Sequence, residues 1–288
     1  MTPRDLMLAF VPPLCWGTGF TIAKPAVEHF PPLFMMLLIY AAIVPVMLFT
    51  VKTPIRTPWK LLIPIAALAV PIQGAFIFMA LEQLDATTSN LLIQSQVPLA
   101  VLCGWLIAGE ELNWRKALGT FIALIGVIIV IGMPHEPPPL VPVLFMIAGS
   151  LVWAVGQVLI RKYGRDGGIV QFKGLAIAGL PQLLLATILL DTGQIASLHS
   201  ATAGDWLALA FVAAVGFYIS YAVWYALLRR CRVDELAPFT LLMPVIGILT
   251  AGAILGETIL ISHIAGGLVI LIGLAVVTGL QPPSLKAA

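Results

Sequence analysis

The chain has 288 residues, of which 60% are hydrophobic and 10% charged, with a mean hydropathy of +1.06. Soluble domains carry about 25% charged residues, so a soluble globular protein is excluded and a lipid bilayer is the solvent this composition fits. The net charge of +2 argues against nucleic acid as a partner, and three scattered cysteines, Cys15, Cys103 and Cys231, give neither a disulfide framework nor metal-ligand spacing.

A spanning helix needs about 20 mostly apolar residues. Ten such segments follow one another: 6–24, 33–51, 61–80, 87–108, 117–133, 141–160, 172–190, 206–228, 236–255 and 263–280. The first lacks an A-x-A-like cleavage site and is expected to remain as a helix. It holds Trp16 about ten residues in, deeper than an interfacial anchor, followed by Gly19, Phe20 and Lys24. Trp16 is either an aromatic wall for a ligand or packing against another helix. Lys24 either snorkels to the interface or draws an anion toward the mouth. The third span offers Gln73, Phe76 and Phe78.

The fourth span contains the stretch SNLLIQSQVPL. Asn90 and Gln94 are four apart and share one helix face, while Gln96 lies about 200° around from Gln94 at about 100° per residue. Burying an unpaired amide costs roughly 1–3 kcal/mol. Such groups therefore face the bundle or a wet cavity. They line a pocket or bridge neighbouring helices. Pro98 removes a backbone hydrogen bond and marks a kink, either static or a hinge. Glu110 follows Gly109 at the end of this span.

The later spans supply related features. The sixth carries Trp153, Gly156 and Gln157. The eighth places Tyr218, Tyr221 and Tyr225 at i, i+3 and i+7, which is pocket wall or packing. The ninth carries Thr240 and the second candidate hinge, Pro244. Glu257 follows Gly256. Glu110 and Glu257 are expected to cap the N-terminus of the next helix rather than to carry protons. His29, His135, His199 and His263 stand isolated at loop or helix ends.

These features repeat. WGTGFTIAK (16–24) aligns with WAVGQVLIR (153–161). Residues 79–98 align with 225–244 without a gap, and GEELNWRKALGTFIALIG (109–126) aligns with GETILISHIAGGLVILIG (256–273). The repeats are assigned to 1–134 and 135–288. Five spans is an odd number, so the second half is upside down relative to the first. The expected fold is an all-α integral membrane protein of ten transmembrane helices in two inverted five-helix repeats. In many secondary transporters this architecture puts the substrate near mid-membrane between the repeats.

With both termini cytoplasmic, the inner segments hold Arg4; Lys52, Arg56 and Lys60; Arg115 and Lys116; Arg161, Lys162, Arg165 and Lys173; Arg229, Arg230 and Arg232; and Lys286. Lys24 alone is outside. The acidic residues divide nearly evenly, so the bias is basic and obeys the positive-inside rule.

Trp16-Gly17 with Lys24, Pro98 with Gly109-Glu110 and Gly119, and Pro244 with Gly256-Glu257 and Gly266 resemble the EamA-type, ten-helix branch of the drug/metabolite transporter superfamily. NLLIQSQVPL and LAPFTLLMPVIG are similar to its exporters of cysteine-type and aromatic amino acids. The resemblance implies a bacterial inner-membrane efflux carrier for amino acids or related metabolites. A monomer that works by alternating access between the halves, without a cofactor, is expected.

No acidic residue sits at the centre of a span. The small multidrug-resistance relatives carry a glutamate in their first helix where this chain reads CWGTGFTI. That disfavours proton-coupled efflux of cationic drugs and favours a neutral or zwitterionic solute. The alternative within the superfamily is a nucleotide-sugar, sugar-phosphate or drug carrier, and a phosphate substrate would call for Lys or Arg at mid-depth. A membrane enzyme would need a nucleophile with its base, HExxH or paired carboxylates. A channel would need a filter-like sequence. None of these is present. The expected substrate site comprises Trp16, Gly19, Phe20, Gln73, Phe76, Asn90, Gln94, Trp153, Gln157, Tyr218, Tyr221 and Thr240, with Pro98 and Pro244 as hinges.

Overall fold

A computed structural model describes residues 2–132, 137–228, 230–231, 236 and 239–279. His135, Arg229, Arg232, Lys286 and much of the expected junction between the halves lie outside these residues. The described chain is helical: α1 (Pro3–Ala9), α2 (Val11–His29), α3 (Pro32–Thr50), α4 (Trp59–Gln83), α5 (Ala86–Ala108), α6 (Trp114–Gly132), α7 (Leu140–Tyr163), α8 (Gly168–Leu190), α9 (Gln194–Ser200), α10 (Ala203–Leu227), α11 (Leu242–Leu255) and α12 (Ile261–Thr278). Nine described helices, with α1–α2 counted as one, are long and apolar enough to cross a membrane. The described part of the expected ninth span includes the shorter apolar helix α11. The short amphiphilic α9 was not anticipated.

Local chemistry sets these boundaries. Thr2 with Asp5 and Thr202 with Asp205 form capping boxes at the starts of α1 and α10. Asp85 caps α5 by accepting from Thr88 N. Gly109 and Gly256, equivalent in the two repeats, end α5 and α11 in the left-handed conformation at φ 69° and 68°, where glycine carries no Cβ penalty.

The helices also break at equivalent places. α4 contains a π-helical segment at Leu68–Ile72 around Pro71, and α10 one at Val212–Ile219. α5 tightens to a 3-10 turn at Ile93–Ser95, just before Pro98. A turn at Leu241, the repeat equivalent of Ser95, likewise precedes Pro244. Proline supplies no N–H to the carbonyl four residues earlier and crowds it, so the preceding turn rearranges.

Packing joins equivalent elements. α6 and α12 run antiparallel in close contact. A Cβ on Gly119 would lie 2.7 Å from Gly273 O, and one on Gly126 would lie 2.8 Å from Gly266 O. Gly119 is equivalent to Gly266 and Gly126 to Gly273, so each contact is the image of the other. Small residues allow this approach where lipid gives no hydrophobic drive for association. The same exchange relates α2 on α11 to α7 on α5, and α3 packs on its counterpart α8. The largest apolar core, including Met35, Ile39, Met47, Leu62 and Leu183, lies among α2, α3, α4, α8 and α10.

The two ends of the bundle differ in charge. Asp166 accepts from Arg56 N and Thr57 N at 2.9 and 2.8 Å, Arg161 donates to Glu110, and Lys173 Nζ donates to Val51 O and Thr53 O. These contacts gather the loops around residues 51–57, 107–116 and 161–173 at one end, here the basic end. At the opposite end Lys24 meets Leu81 and Glu82, Asp191 accepts from Phe34 N at 2.7 Å, and Glu257 accepts from Ala86 N.

Candidate substrate site

The site residues fall into three neighbourhoods. The first is the broken middle of α5. Gln94 is 7% exposed within the 3-10 turn, and its amide makes no hydrogen bond among the described residues. Asn90 is fully buried. Its Nδ2 donates to Ala86 O at 3.0 Å, but Oδ1 has no partner. Asn90 lies flat on α11, where a Cβ at Gly247 would come within 2.4 Å of its Cγ. Ser95 on α5 and Ser150 on α7 add two more buried hydroxyls without partners. Thr240 is half-buried just before α11. Pro98 and Pro244 are both buried.

The second neighbourhood is aromatic. Trp16 meets Tyr221 and Trp224 edge-on, with centroids 5.4 and 5.8 Å apart, and Tyr221 stacks on Phe172 at 4.5 Å and on Tyr225 at 5.9 Å. Tyr218 does not join them. Its hydroxyl donates to Thr50 Oγ1 at 2.8 Å. The stripe assumed an unbroken 3.6-residue period, and the π-helical segment in α10 resets that phase at Ile219. Phe20 is half-buried between the two largest apolar clusters, while a Cβ added at Gly19 would meet no atom within 4 Å.

The third neighbourhood is the α7 side. Trp153 packs, as Leu99 and Ile107 do, against the buried cluster of Cys103, Ala154 and Val158, apart from the rings around Trp16. Gln157 and Gln73 are half-buried and make no side-chain hydrogen bonds among the described residues. Phe76 faces Phe145 at 5.7 Å. Gly156 sits on Ala69, which is 3.4 Å from its Cβ position.

Sequence reasoning missed several contacts. Thr21 on α2 and Thr250 on α11 share a hydrogen bond of 3.1 Å between the halves. Histidine 263 is not isolated. It is buried, its Nε2 lies 3.2 Å from Thr88 Oγ1, and Thr88 donates to Asp85 Oδ2 at 2.7 Å. His29 likewise reaches Ser197 O at 2.9 Å. His263 lies 175 residues beyond Thr88, so the contact left no local trace in the sequence.

Glu257 caps a helix as expected, but that helix is α5 of the other half: Ala86 N and Thr87 N donate to its carboxylate at 2.7 and 2.9 Å. Glu110 departs from the expectation and pairs with Arg161. Lys24 does not merely snorkel. Its ammonium donates to Leu81 O and Glu82 O at 2.8 and 2.9 Å and lies 3.0 Å from Glu28, satisfying terminal carbonyls of α4 that have no partner within the helix.

The interior is uncharged. The buried ionisable side chains among the described residues are Asp5, Lys173 and His263, together with Tyr40 and the cysteines. Lys173 spends its charge on Val51 O and Thr53 O at the basic end, so it holds no ligand at mid-depth. A separate cleft of about 540 Å³, lined by Glu28, His29, Asp191 and Ser197 among others, opens at the opposite end between the α2–α3 and α8–α10 connections.

The chain matches the EamA-like transporter family twice, over residues 4–132 and 140–279. A probable amino-acid metabolite efflux pump of Salmonella typhimurium is 29% identical over 286 residues, covering 95% of this chain and 94% of the relative. A protein of the same description from Escherichia coli is 27% identical with the same coverage. An S-adenosylmethionine/S-adenosylhomocysteine transporter of Chlamydia trachomatis is 23% identical, covering 88% and 82%. A solved crystal structure shares the fold, with a TM-score of 0.68, 20% identity and 96% of each chain covered. The chain belongs to the EamA-like transporter family of the drug/metabolite transporter superfamily and is a membrane transporter, not an enzyme.

Proposed function

We propose that this transporter exports amino acids, aromatic or small and neutral, or related zwitterionic metabolites across the bacterial inner membrane. Its two halves, 1–134 and 135–288, are inverted five-helix repeats, and they expose a central site alternately to each side. The basic end faces the cytoplasm with both termini, in line with the positive-inside rule.

The observation that carries this reading is the buried, uncharged and incompletely bonded interior. Among the described residues, Gln94 has no hydrogen-bond partner, Asn90 Oδ1 has none, and the hydroxyls of Ser95 and Ser150 have none. Each such group costs about 1–3 kcal/mol if left unpaired in an apolar medium, and a zwitterion's ammonium and carboxylate satisfy both donors and acceptors. Trp16 with Tyr221 supplies an apolar, polarisable surface beside it. The paired glycine contacts of α6 and α12 and the matched breaks before Pro98 and Pro244 support the pseudo-two-fold relation. The names of the Salmonella and Escherichia relatives agree with the substrate class. A phosphorylated substrate is disfavoured because no described cation faces the interior at mid-depth.

Counterflow in proteoliposomes tests the reading. Radiolabelled Phe, Trp, Thr and Cys should exchange, and a quaternary cation should not. Exchange of the cation alone would overturn the assignment.

A further inference from the structure

Repeat-related residues make repeat-related contacts when two halves share a conformation. Where their partners differ, the difference records the state of the molecule. Lys24 is equivalent to Arg161, Glu257 to Glu110, Leu81 to Leu227 and Glu82 to Leu228 in the repeat alignment.

At the end opposite the basic one, this charged pair is divided between two helix termini. Lys24 donates to the carbonyls of Leu81 and Glu82 at the C-terminus of α4. Glu257 accepts from Ala86 N and Thr87 N at the N-terminus of α5. A cation at a C-terminus and an anion at an N-terminus both complement the helix dipole. The α4–α5 hairpin is thus clamped between α2 and the α11–α12 connection.

At the basic end the equivalent residues do something else. Arg161 pairs with Glu110 instead of gripping the end of α10. The adjacent Lys162 donates to Ile107 O at 2.7 Å, tying α7 to the end of α5. Helix packing shows the same asymmetry. α2 packs on α4 and α5 of its own half, whereas α7 shows no comparable packing on α10 or α11 among the described residues.

We propose that Lys24 with Glu257, and Arg161 with Glu110, are two latches that exchange partners during transport. This rests on the reading of two inverted halves that alternately expose one site. In the conformation described here the Lys24 end is clamped shut and the Arg161 end is open. In the opposite conformation Arg161 leaves Glu110 and grips the terminal carbonyls of α10 around Leu227 and Leu228, while Lys24 releases α4 and pairs with Glu257. Lys24 and Arg161 are positioning residues: they set the equilibrium between the two states without contacting the solute.

The prediction is one of opposite signs. Lys24→Ala removes the clamp of the present state. Arg161→Ala removes the clamp of the other state and costs the present one only an exposed ion pair, an interaction of small net worth. A single cysteine at Gly19, where added side-chain atoms meet open space, serves as reporter in a background with Cys15, Cys103 and Cys231 replaced by serine. It is labelled with a membrane-impermeant maleimide in right-side-out and inside-out vesicles.

Labelling from the Lys24 end should rise about fivefold or more in Lys24→Ala and fall by a similar factor in Arg161→Ala, the scale of ordinary conformational coupling. Glu257→Gln and Arg161→Gln repeat the two arms if either alanine variant fails to fold. Shifts in the same direction, or none, would overturn the latch while leaving alternating exposure standing, provided the reporter is reached from both ends. A reporter reached from one end only, in every variant, would overturn the transport reading itself.

Discussion

At the scale of single residues, the fold buries polar atoms that have no hydrogen-bond partner among the described residues. Gln94 sits where Pro98 has already broken the regular helix, so its amide is free to serve something other than structure. Gln94→Ala should lower amino-acid flux in proteoliposomes about tenfold, the equivalent of roughly 1.4 kcal/mol, with an unchanged melting temperature. Unchanged flux would remove Gln94 from the site. Asn90 is different, because its side chain fills the space above Gly247. Gly247→Ala forces Asn90 or α11 to move and should cost about 1–3 kcal/mol of stability, read as a lower melting temperature in detergent. Trp153→Ala opens a satellite cluster away from Trp16 and should reduce flux less than Trp16→Ala.

Much of this residue-level picture was legible in the sequence, and what was not has physical causes. The burial of Asn90 and Gln94 and the breaks before the two prolines were readable because each rests on polarity and helix geometry over a few residues. Tyr218 strayed from its expected neighbours because a π-helical segment shifts the phase of α10. The buried link from His263 to Thr88, the clamp of Glu257 on α5 and the pairing of Arg161 with Glu110 join residues from different halves. Local pattern carries no record of such contacts.

At the scale of elements, close helix approach and stitched loops hold the bundle. The α6–α12 seam depends on Gly119, Gly126, Gly266 and Gly273. Gly126→Val would drive side-chain atoms into the α12 backbone and should destabilise the protein by several kcal/mol, or about 1–3 kcal/mol if the helices can separate slightly. Size-exclusion profiles and thermal melts would register this directly, and a wild-type melt would contradict the seam.

At the basic end, Asp166 ties the α7–α8 connection to the loop before α4. Burial pushes its carboxyl up, but the Thr57 hydroxyl, the backbone N–H groups of Thr57 and Arg56 and the Arg56 charge outweigh that and hold it below its ordinary value of 3.8. A carboxyl depressed on folding stabilises the protein above its unfolded pKa, and that contribution is lost as pH falls through the folded value. Asp166→Asn should therefore lower the melting temperature at neutral pH by less than about 1 kcal/mol equivalent, given its exposure, and the difference from wild type should shrink below pH 4.

At the scale of the whole molecule, hydropathy and charge asymmetry made the membrane class and most spans readable, since both properties are written in runs of residues and do not depend on tertiary contacts. The ninth segment, 236–255, lies partly outside the described residues, and its described part includes the helix Leu242–Leu255. The duplication was visible as aligned motifs, and the family is matched twice, over residues 4–132 and 140–279. The contacts between α6 and α12 are reciprocal in the same alignment, with Gly119 on Gly273 and Gly266 on Gly126.

Inversion of the two halves across the bilayer is the claim on which alternating exposure depends, and sidedness labelling tests it most directly. Single cysteines at Arg56, Lys116, Arg165, Glu28 and Gly193, each in the cysteine-free background, are exposed to an impermeant maleimide in intact cells. The account predicts that positions 28 and 193 are labelled and that 56, 116 and 165 are protected until the membrane is opened. Labelling of position 116 from one side and position 165 from the other would contradict it.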